Sequence, residues 1–303
     1  MDLRQLSTLV AIADHGSFSA AARALFTVQS NVSAHIAKLE RELGAALIER
    51  STGELTMEGS LVVERARRIL HDIDDIASEI ASLDHRISGE VRIGVIGTVA
   101  RWLMPGLLLR IGREHPMVQA VVSEGSTSAL LPNVLSGLLH AAIVHLPVDE
   151  PELLVEPLFD EELVLLAPIG HPLAEASDVT LVDLAEHALV LPPIGSALRR
   201  ILDRAASDAD VTLRAQTEAD GVRLLATLAV EGHGPTIVPA TAIDRPHDSS
   251  ARIAVVDGLP RRSVGWVRRR RPNAAPATSG VQLVLRDVLS ELAPGQVGVR
   301  LID

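Results

Sequence analysis

The chain has 303 residues, no cysteine and a formal net charge of −11 at pH 7. A hydrophobic content of 47% can build the cores of two or three domains, and with aromatics at 2% those cores are filled by Leu, Val, Ile and Ala. These values exclude a disulfide framework, a Cys-based zinc site or nucleophile, and a protein that coats nucleic acid indiscriminately.

No apolar run is long enough to span a membrane, and Met1–Gly16 lacks a basic leader and a small-residue cleavage site. A cytoplasmic protein without a membrane partner is expected. In chain order, Leu3, Leu6, Val10 and Ala13 form a first helical stripe. His15-Gly16-Ser17 breaks it, and Ser17 or Ser19 can cap the next helix. Ser19–Leu25 is packed with Ala20, Ala21, Ala22 and Ala24, so another helix can cross it closely. After a break at Phe26–Val28, Gln29–Leu43 carries Val32, Ile36, Leu39 and Leu43 on one face. Ser30, Asn31, Ala34, Lys38 and Arg41 stand opposite, and Gly44 ends the pattern. This is the helix-turn-helix layout, whose second helix can enter a major groove.

Ala45–Thr56 reads as two short extended pieces around a Ser/Thr/Gly turn, a hairpin. Arg50 at its base can reach a phosphate or pair with Glu49 or Glu54. Residues 1–60 set five basic residues against seven acidic ones, about −2 net. Phosphate neutralisation drives much of DNA affinity, so one copy should bind weakly and several linked copies are required. From Met57 the pattern becomes one long helix. Val62, Ala66, Ile69, Ile73, Ile76, Ile80, Leu83 and Ile87 are spaced 4, 3, 4, 3, 4, 3 and 4, a coiled-coil seam with charged flanks. Such a helix runs on the order of 45 Å.

Beyond Ser88-Gly89, strands and helices alternate. Strands are expected at Glu90–Ile96, Val118–Ser123, Ala141–His145, Leu163–Pro168, Ala188–Leu191, Leu213–Thr217, Pro235–Val238, Ile253–Val256 and Ser263–Arg268. Helices are expected at Ala100–Glu114, Ala129–Gly137, Ser196–Ser207, Gly221–Glu231 and Gly280–Leu292. The alternation predicts α/β units with largely parallel sheets. Ligands of such sheets bind beyond the strand ends, where helix N-termini favour carboxylates and other anions. Four turns there are rich in hydroxyl or glycine: Gly97-Thr98, Gly125–Ser128, Ile194–Ser196 and Gly232–Gly234.

The helix-turn-helix stretch resembles that of the LysR-type transcriptional regulators. The resemblance rests on Gly16–Ser19, Ala21-Ala22, Leu25, Gln29-Ser30, Val32-Ser33, Ile36, Leu39-Glu40, Leu43-Gly44, Leu47, Glu49-Arg50, Leu55-Thr56 and Gly59. It continues at lower specificity through Pro105, His115-Pro116, Glu124–Ser126, Gly195-Ser196 and Gly232–Pro239. It implies a winged helix-turn-helix over residues 1–58 and a linker helix over 59–88, dimerised through Val62, Ile69, Ile73, Ile76, Ile80 and Leu83. It also implies an effector module over 89–303 with two subdomains like those of periplasmic binding proteins. One subdomain would span about 90–162 and 264–303, the other about 163–263.

The resemblance further implies double-stranded DNA as a partner, contacted by Gln29, Ser30, Asn31, Ser33, Ala34, Lys38 and Arg50. A homodimer or homotetramer is expected. The effector would be a small molecule, a carboxylate among the candidates, touching Thr98, Ser126, Thr127, His145, Ser196 and His233. Helix capping is the alternative for each hydroxyl. Three positions depart from the family pattern: Val28 replaces a capping Ser or Thr, Ala34 replaces a basic or amide residue, and His140 replaces an Asp. Ala34 removes a side chain able to pair with guanine or adenine, leaving base reading to Gln29, Ser30, Asn31 and Ser33.

The eleven histidines show no metal-ligand spacing, and no nucleophile or dinucleotide motif appears, so neither an enzyme nor a cofactor is expected. The alternative function is a solute sensor whose N-terminal helices bind only protein. The basic run Arg268–Arg271, with Arg261 and Arg262, reads as a solvated face or a contact to another subunit.

Overall fold

The computed structural model describes residues 1–49, 52–83, 87–243, 250–270 and 275–302. Three helices open the chain: α1 (Leu3–His15), α2 (Phe18–Ala24) and α3 (Gln29–Leu43). Asp2 and Gln5 start α1 with a reciprocal capping box, and Ser17 caps α2 by accepting from the Ala20 N–H. The buried face of α1 is Leu6, Leu9 and Ile12, with Gln5 and Thr8, whereas Leu3 is exposed and Val10 only half-buried. The expected stripe is rotated because α1 packs against α2, α3 and the long helix α4 (Met57–Leu83) together. Ala21, Ala22, Val32, Ile36, Leu39 and Leu47 complete this core.

The wing is minimal: Ile48 bridges Leu55, and the Glu49 N–H donates to the Glu54 carbonyl at 2.8 Å. Arg50, a predicted phosphate contact, lies outside the described residues. Gly59 is needed where α4 crosses the wing, since a Cβ there would sit 1.9 Å from the Leu47 carbonyl oxygen.

The seam on α4 divides. Val63 and Ala66 are buried and Val62 is half-buried inside the same chain, whereas Ile69, Ile73 and Ile76 are exposed. Ile80 and Leu83 lie on α4, but their side chains fall outside the described ones. Ile87 leaves the seam and packs into the core of the following domain. Arg67 pairs with Asp14 of α1, and the next residue, Arg68, donates to the Leu135 carbonyl at 3.1 Å.

The remaining elements are β1 (Ser88–Val95), α5 (Gly97–Glu114), β2 (Met117–Glu124), α6 (Thr127–Ser136), β3 (Ala141–His145), β4 (Leu153–Glu161), β5 (Leu163–Pro168), α7 (Pro172–Glu175), β6 (Val179–Thr180), α8 (Leu181–Ala185), β7 (Ala188–Leu191), α9 (Ala197–Asp208), β8 (Arg214–Glu218), α10 (Val222–Val230), β9 (Thr236–Pro239), β10 (Ala251–Asp257), β11 (Arg262–Arg269), α11 (Pro276–Leu292) and β12 (Val299–Leu301). They form two six-stranded sheets, ordered β12-β4-β11-β3-β1-β2 and β6-β10-β5-β9-β7-β8.

The expectation of largely parallel sheets is corrected. Half of the pairings among the described residues are antiparallel, namely β10–β5, β11–β3, β11–β4, β12–β4 and β5–β9. The chain crosses between the sheets at β4–β5 and again at β10–β11, and strands that return from a crossover run against their neighbours. The first sheet's core gathers Leu103 and Leu107 of α5, Val281 and Leu285 of α11, Phe159 and Trp266. Truncating any one of these leucines to Ala costs about 2–5 kcal/mol.

Candidate nucleic-acid interface and effector cleft

The turn before α3 is built from the backbone. Phe26 takes φ +52, its N–H donates to the Arg23 carbonyl at 3.2 Å, and the Thr27 N–H donates to the Ala22 carbonyl at 2.9 Å. The N-cap of α3 is Val28, which offers no side-chain acceptor. The Thr27 hydroxyl, one residue earlier, instead accepts from the Asn31 side-chain amide at 3.0 Å, while the Ser19 hydroxyl donates to Gln29 Oε1 at 2.8 Å. Two of the predicted base-reading side chains are therefore held before any ligand arrives, which lowers the entropy lost on binding. Gln29, Ser30, Asn31, Ser33, Ala34 and Lys38 are all exposed on the side of α3 away from its buried Val32, Ile36 and Leu39. Lys38 lies 4.0 Å from both Asp2 and Glu42, so a phosphate must compete with two carboxylates for it.

The other polar cluster lies where the chain crosses between the sheets. Arg262 and Glu161 are 1% and 0% exposed, and both Nε and Nη2 of Arg262 donate to Glu161 Oε2. Glu161 Oε1 accepts from the Thr241 hydroxyl at 2.6 Å, and Arg262 Nη2 reaches the Thr98 hydroxyl at 3.4 Å. Thr127 accepts from the His145 N–H at 3.1 Å. The Nδ1 of His145 is buried and has no hydrogen-bond partner among the described residues. Burial first, and then the Arg262 charge, hold His145 well below the usual histidine range near 6.5, so its ring is neutral at pH 7. Burial also works against the charge on Arg262, and Glu161 supports it.

Thr98, Thr127 and His145 thus come together with Arg262. Ser126 caps α6 and also meets Ser128 at 3.0 Å. Ser196 caps α9. His233 is exposed, with its carbonyl taken by Gln216 and its N–H by the Leu228 carbonyl, so its backbone serves the turn. Glu161, Arg262 and Thr241 escape a reading from sequence, as does the pairing of Arg223 on α10 with Glu124 at the end of β2, 3.0 Å across the two subdomains.

Of the basic residues, Arg262 departs from the expected solvated face because it is buried, whereas Arg261 and Arg270 are exposed: Arg261 pairs with Glu162, and Arg270 donates to the Pro151 and Leu153 carbonyls at 3.2 and 3.3 Å. Arg271 lies outside the described residues. His140 fills the departure noted above by accepting the Arg92 N–H on its Nδ1 at 2.8 Å.

Two family models match this arrangement: the bacterial regulatory helix-turn-helix protein of the lysR family over residues 3–60, and the LysR substrate binding domain over residues 84–290. The chain belongs to the LysR family. It is a DNA-binding transcriptional regulator with an effector-responsive domain, which decides against the solute-sensor alternative. The DNA-binding transcriptional dual regulator OxyR of Escherichia coli K12 is 32% identical over 278 residues, covering 89% of this chain and 90% of that protein. A probable hydrogen peroxide-inducible genes activator of Mycobacterium avium is 31% identical over 304 residues, covering 98% and 96%.

Among solved structures, a full-length OxyR with a cysteine-to-aspartate change, from Pseudomonas aeruginosa, superposes with a TM-score of 0.79 at 24% identity, covering 99% of this chain and 98% of that one. At that identity the likeness concerns the fold. A hydrogen-peroxide-bound cysteine-to-serine variant of Corynebacterium glutamicum OxyR gives a TM-score of 0.63 at 28% identity, covering 96% and 93%. These relatives are regulators, and no helix among the described residues is long and apolar enough to cross a membrane.

Proposed function

We propose that this LysR-family regulator reads operator DNA through α3 and is controlled by a small effector bound between its two sheets. Gln29, Ser30, Asn31 and Ser33 meet base edges, Ala34 lies close to the groove, and Lys38 and Arg50 meet phosphates. The tethering of Gln29 and Asn31 supports the base-reading part. Residues 1–58 form the DNA-binding unit, 59–88 the linker, and 89–303 the effector module. A second copy covers the exposed Ile69, Ile73 and Ile76, with Val62, Ile80 and Leu83 extending that contact, and two dimers make a tetramer. Working on DNA, the protein acts in the bacterial cytoplasm.

One observation carries the effector part. Thr98, Thr127, the unpartnered His145 Nδ1 and Arg262 converge at the crossover of an otherwise apolar core. The N-terminus of α5 beside Thr98 has Ile96 as its cap, with no side-chain acceptor, and such a helix end favours an anion, although the Glu124 carboxylate already lies against Gly97 there. Ser126, Ser196 and His233 line the approach. An effector acts only through the difference in its affinity for two arrangements of the module.

The mechanism differs from peroxide sensing by a thiol. The chain has no cysteine, so it can form neither a sulfenic acid on cysteine nor a disulfide. The test pairs a gel shift on the chain's own upstream DNA, across a salt series, with thermal-shift screening of carboxylates on the full chain. Retention together with a stabilising carboxylate is expected; failure to retain this DNA or any selected sequence rejects the DNA-reading assignment.

A further inference from the structure

The chain has three phenylalanines. Phe159 is fully buried and Phe18 packs against the DNA-binding core, whereas Phe26 is 99% exposed. Phe26 also takes φ +52, a left-handed conformation that bulky side chains rarely adopt. The turn requires that backbone, but it does not require this side chain. The bonds that set it run between main-chain groups of Ala22, Arg23, Phe26 and Thr27. Glycine or asparagine would satisfy them without strain and without exposing an aromatic ring. Strain of this kind points to a use outside the fold.

The neighbourhood says what that use is. Val28, the N-cap of α3, is 59% exposed and likewise offers the helix nothing. Phe26 and Val28 form an apolar tip at the end of α3 that leads into Gln29, Ser30 and Asn31. The unit around them carries about −2 charge over residues 1–60, so phosphate attraction to a single copy is weak and apolar contacts to base edges add to its affinity. Of the groups that base edges present in the major groove, the C5-methyl of thymine is the apolar one.

We infer that Phe26, with Val28 beside it, is an apolar base reader that packs on a thymine methyl at the edge of each half-site. The inference rests on the DNA-reading role proposed for α3.

The test uses the full chain and a duplex selected by it from a random pool. Each thymine is replaced in turn by uracil, which removes the methyl and keeps the pairing. In wild type one replacement per half-site should weaken binding at least fivefold. Phe26→Asn should bind the unmodified duplex at least fivefold more weakly, lose that uracil sensitivity, and melt at a higher temperature because the backbone strain is relieved. Phe26→Leu should keep part of the sensitivity. Three results would overturn the inference: uniform binding of all uracil duplexes by wild type, an unchanged uracil profile in Phe26→Asn, or an altered oligomeric mass in Phe26→Asn. If the chain enriches no sequence at all, the DNA-reading role fails as well, which separates the two failures.

Discussion

Glu161→Ala removes the carboxylate that pairs with a guanidinium that is 1% exposed. Breaking a buried pair from one side costs about 3–5 kcal/mol, because the remaining charge is left uncompensated. The Thr241 hydroxyl also loses its 2.6 Å acceptor, worth about 1 kcal/mol. A total of about 4–6 kcal/mol is therefore expected, with a comparable loss for Arg262→Ala. Glu161→Leu/Arg262→Met together remove both charges and keep the volume. What remains is two threonine hydroxyls, Thr98 and Thr241, short of a partner, or about 1–3 kcal/mol. The double variant should thus be more stable than either single one. The assay is urea unfolding followed by tryptophan emission. Both tryptophans serve it: Trp102 packs edge-on against Phe159 with ring centres 5.4 Å apart, and Trp266 lies on β11 with Arg262. A single-variant loss below about 1 kcal/mol, or a double-variant loss equal to the sum of the singles, would refute the reasoning.

Below about pH 6.5 the unfolded chain protonates its histidine while folded His145 stays neutral, so stability is complete above that value and falls as pH drops, by up to about 1.4 kcal/mol per unit. His145→Gln should flatten the fall between pH 7.5 and 5.5, read from urea midpoints. Ile73→Asp puts a charge on the exposed seam and should halve the mass seen by light scattering, while unfolding of the isolated protomer changes by less than about 0.5 kcal/mol. Lys38→Ala should weaken all duplexes alike and reduce the salt slope by about one, whereas Gln29→Ala should change the selected sequence. Hydrogen peroxide at levels that oxidise thiols should leave the gel shift unchanged; a shift reversed by dithiothreitol would contradict the absence of cysteine as the deciding feature.

What could be read from sequence had a period or a punctuation mark. The Val62–Leu83 spacing announced α4, and the turns at Gly16 and Gly44 bounded the first helices within a residue or two. β4 was missed because Pro157 interrupts it, and a proline argues against a paired strand. The structure accommodates Pro157 with one extra residue in β4, Leu158, where the pairing steps from Val264–Phe159 to Gly265–Pro157, and a Cβ on Gly265 would lie 2.8 Å from the Glu156 carbonyl oxygen.

The buried ion pair was hidden for a different reason. Glu161-Glu162 and Arg261-Arg262 are two charged doublets that pair twice. Glu162 meets Arg261 in solvent and Glu161 meets Arg262 in the interior. Which member turns inward depends on the register of β4 against β11, a tertiary fact with no local mark. Thr98 was picked for its turn and His145 through the family resemblance, yet their company of Arg262 arises from β11, more than a hundred residues later in the chain.

The strand orders also bear on how the protein is made. All six strands of the second sheet lie between Leu163 and Asp257, so that sheet can close while the C-terminus is still being synthesised. The first sheet cannot, because β11 is the strand that joins β3 to β4. At typical rates of synthesis, on the order of 10 s separate the emergence of β3 from that of β11. During that interval β3 offers an unpaired and almost wholly apolar edge, Ala141–Val144, of the kind that recruits strands from other chains. The newborn polypeptide therefore has a window of exposure to aggregation that the finished protein lacks, and a ribosome stalled before residue 262 leaves that window open.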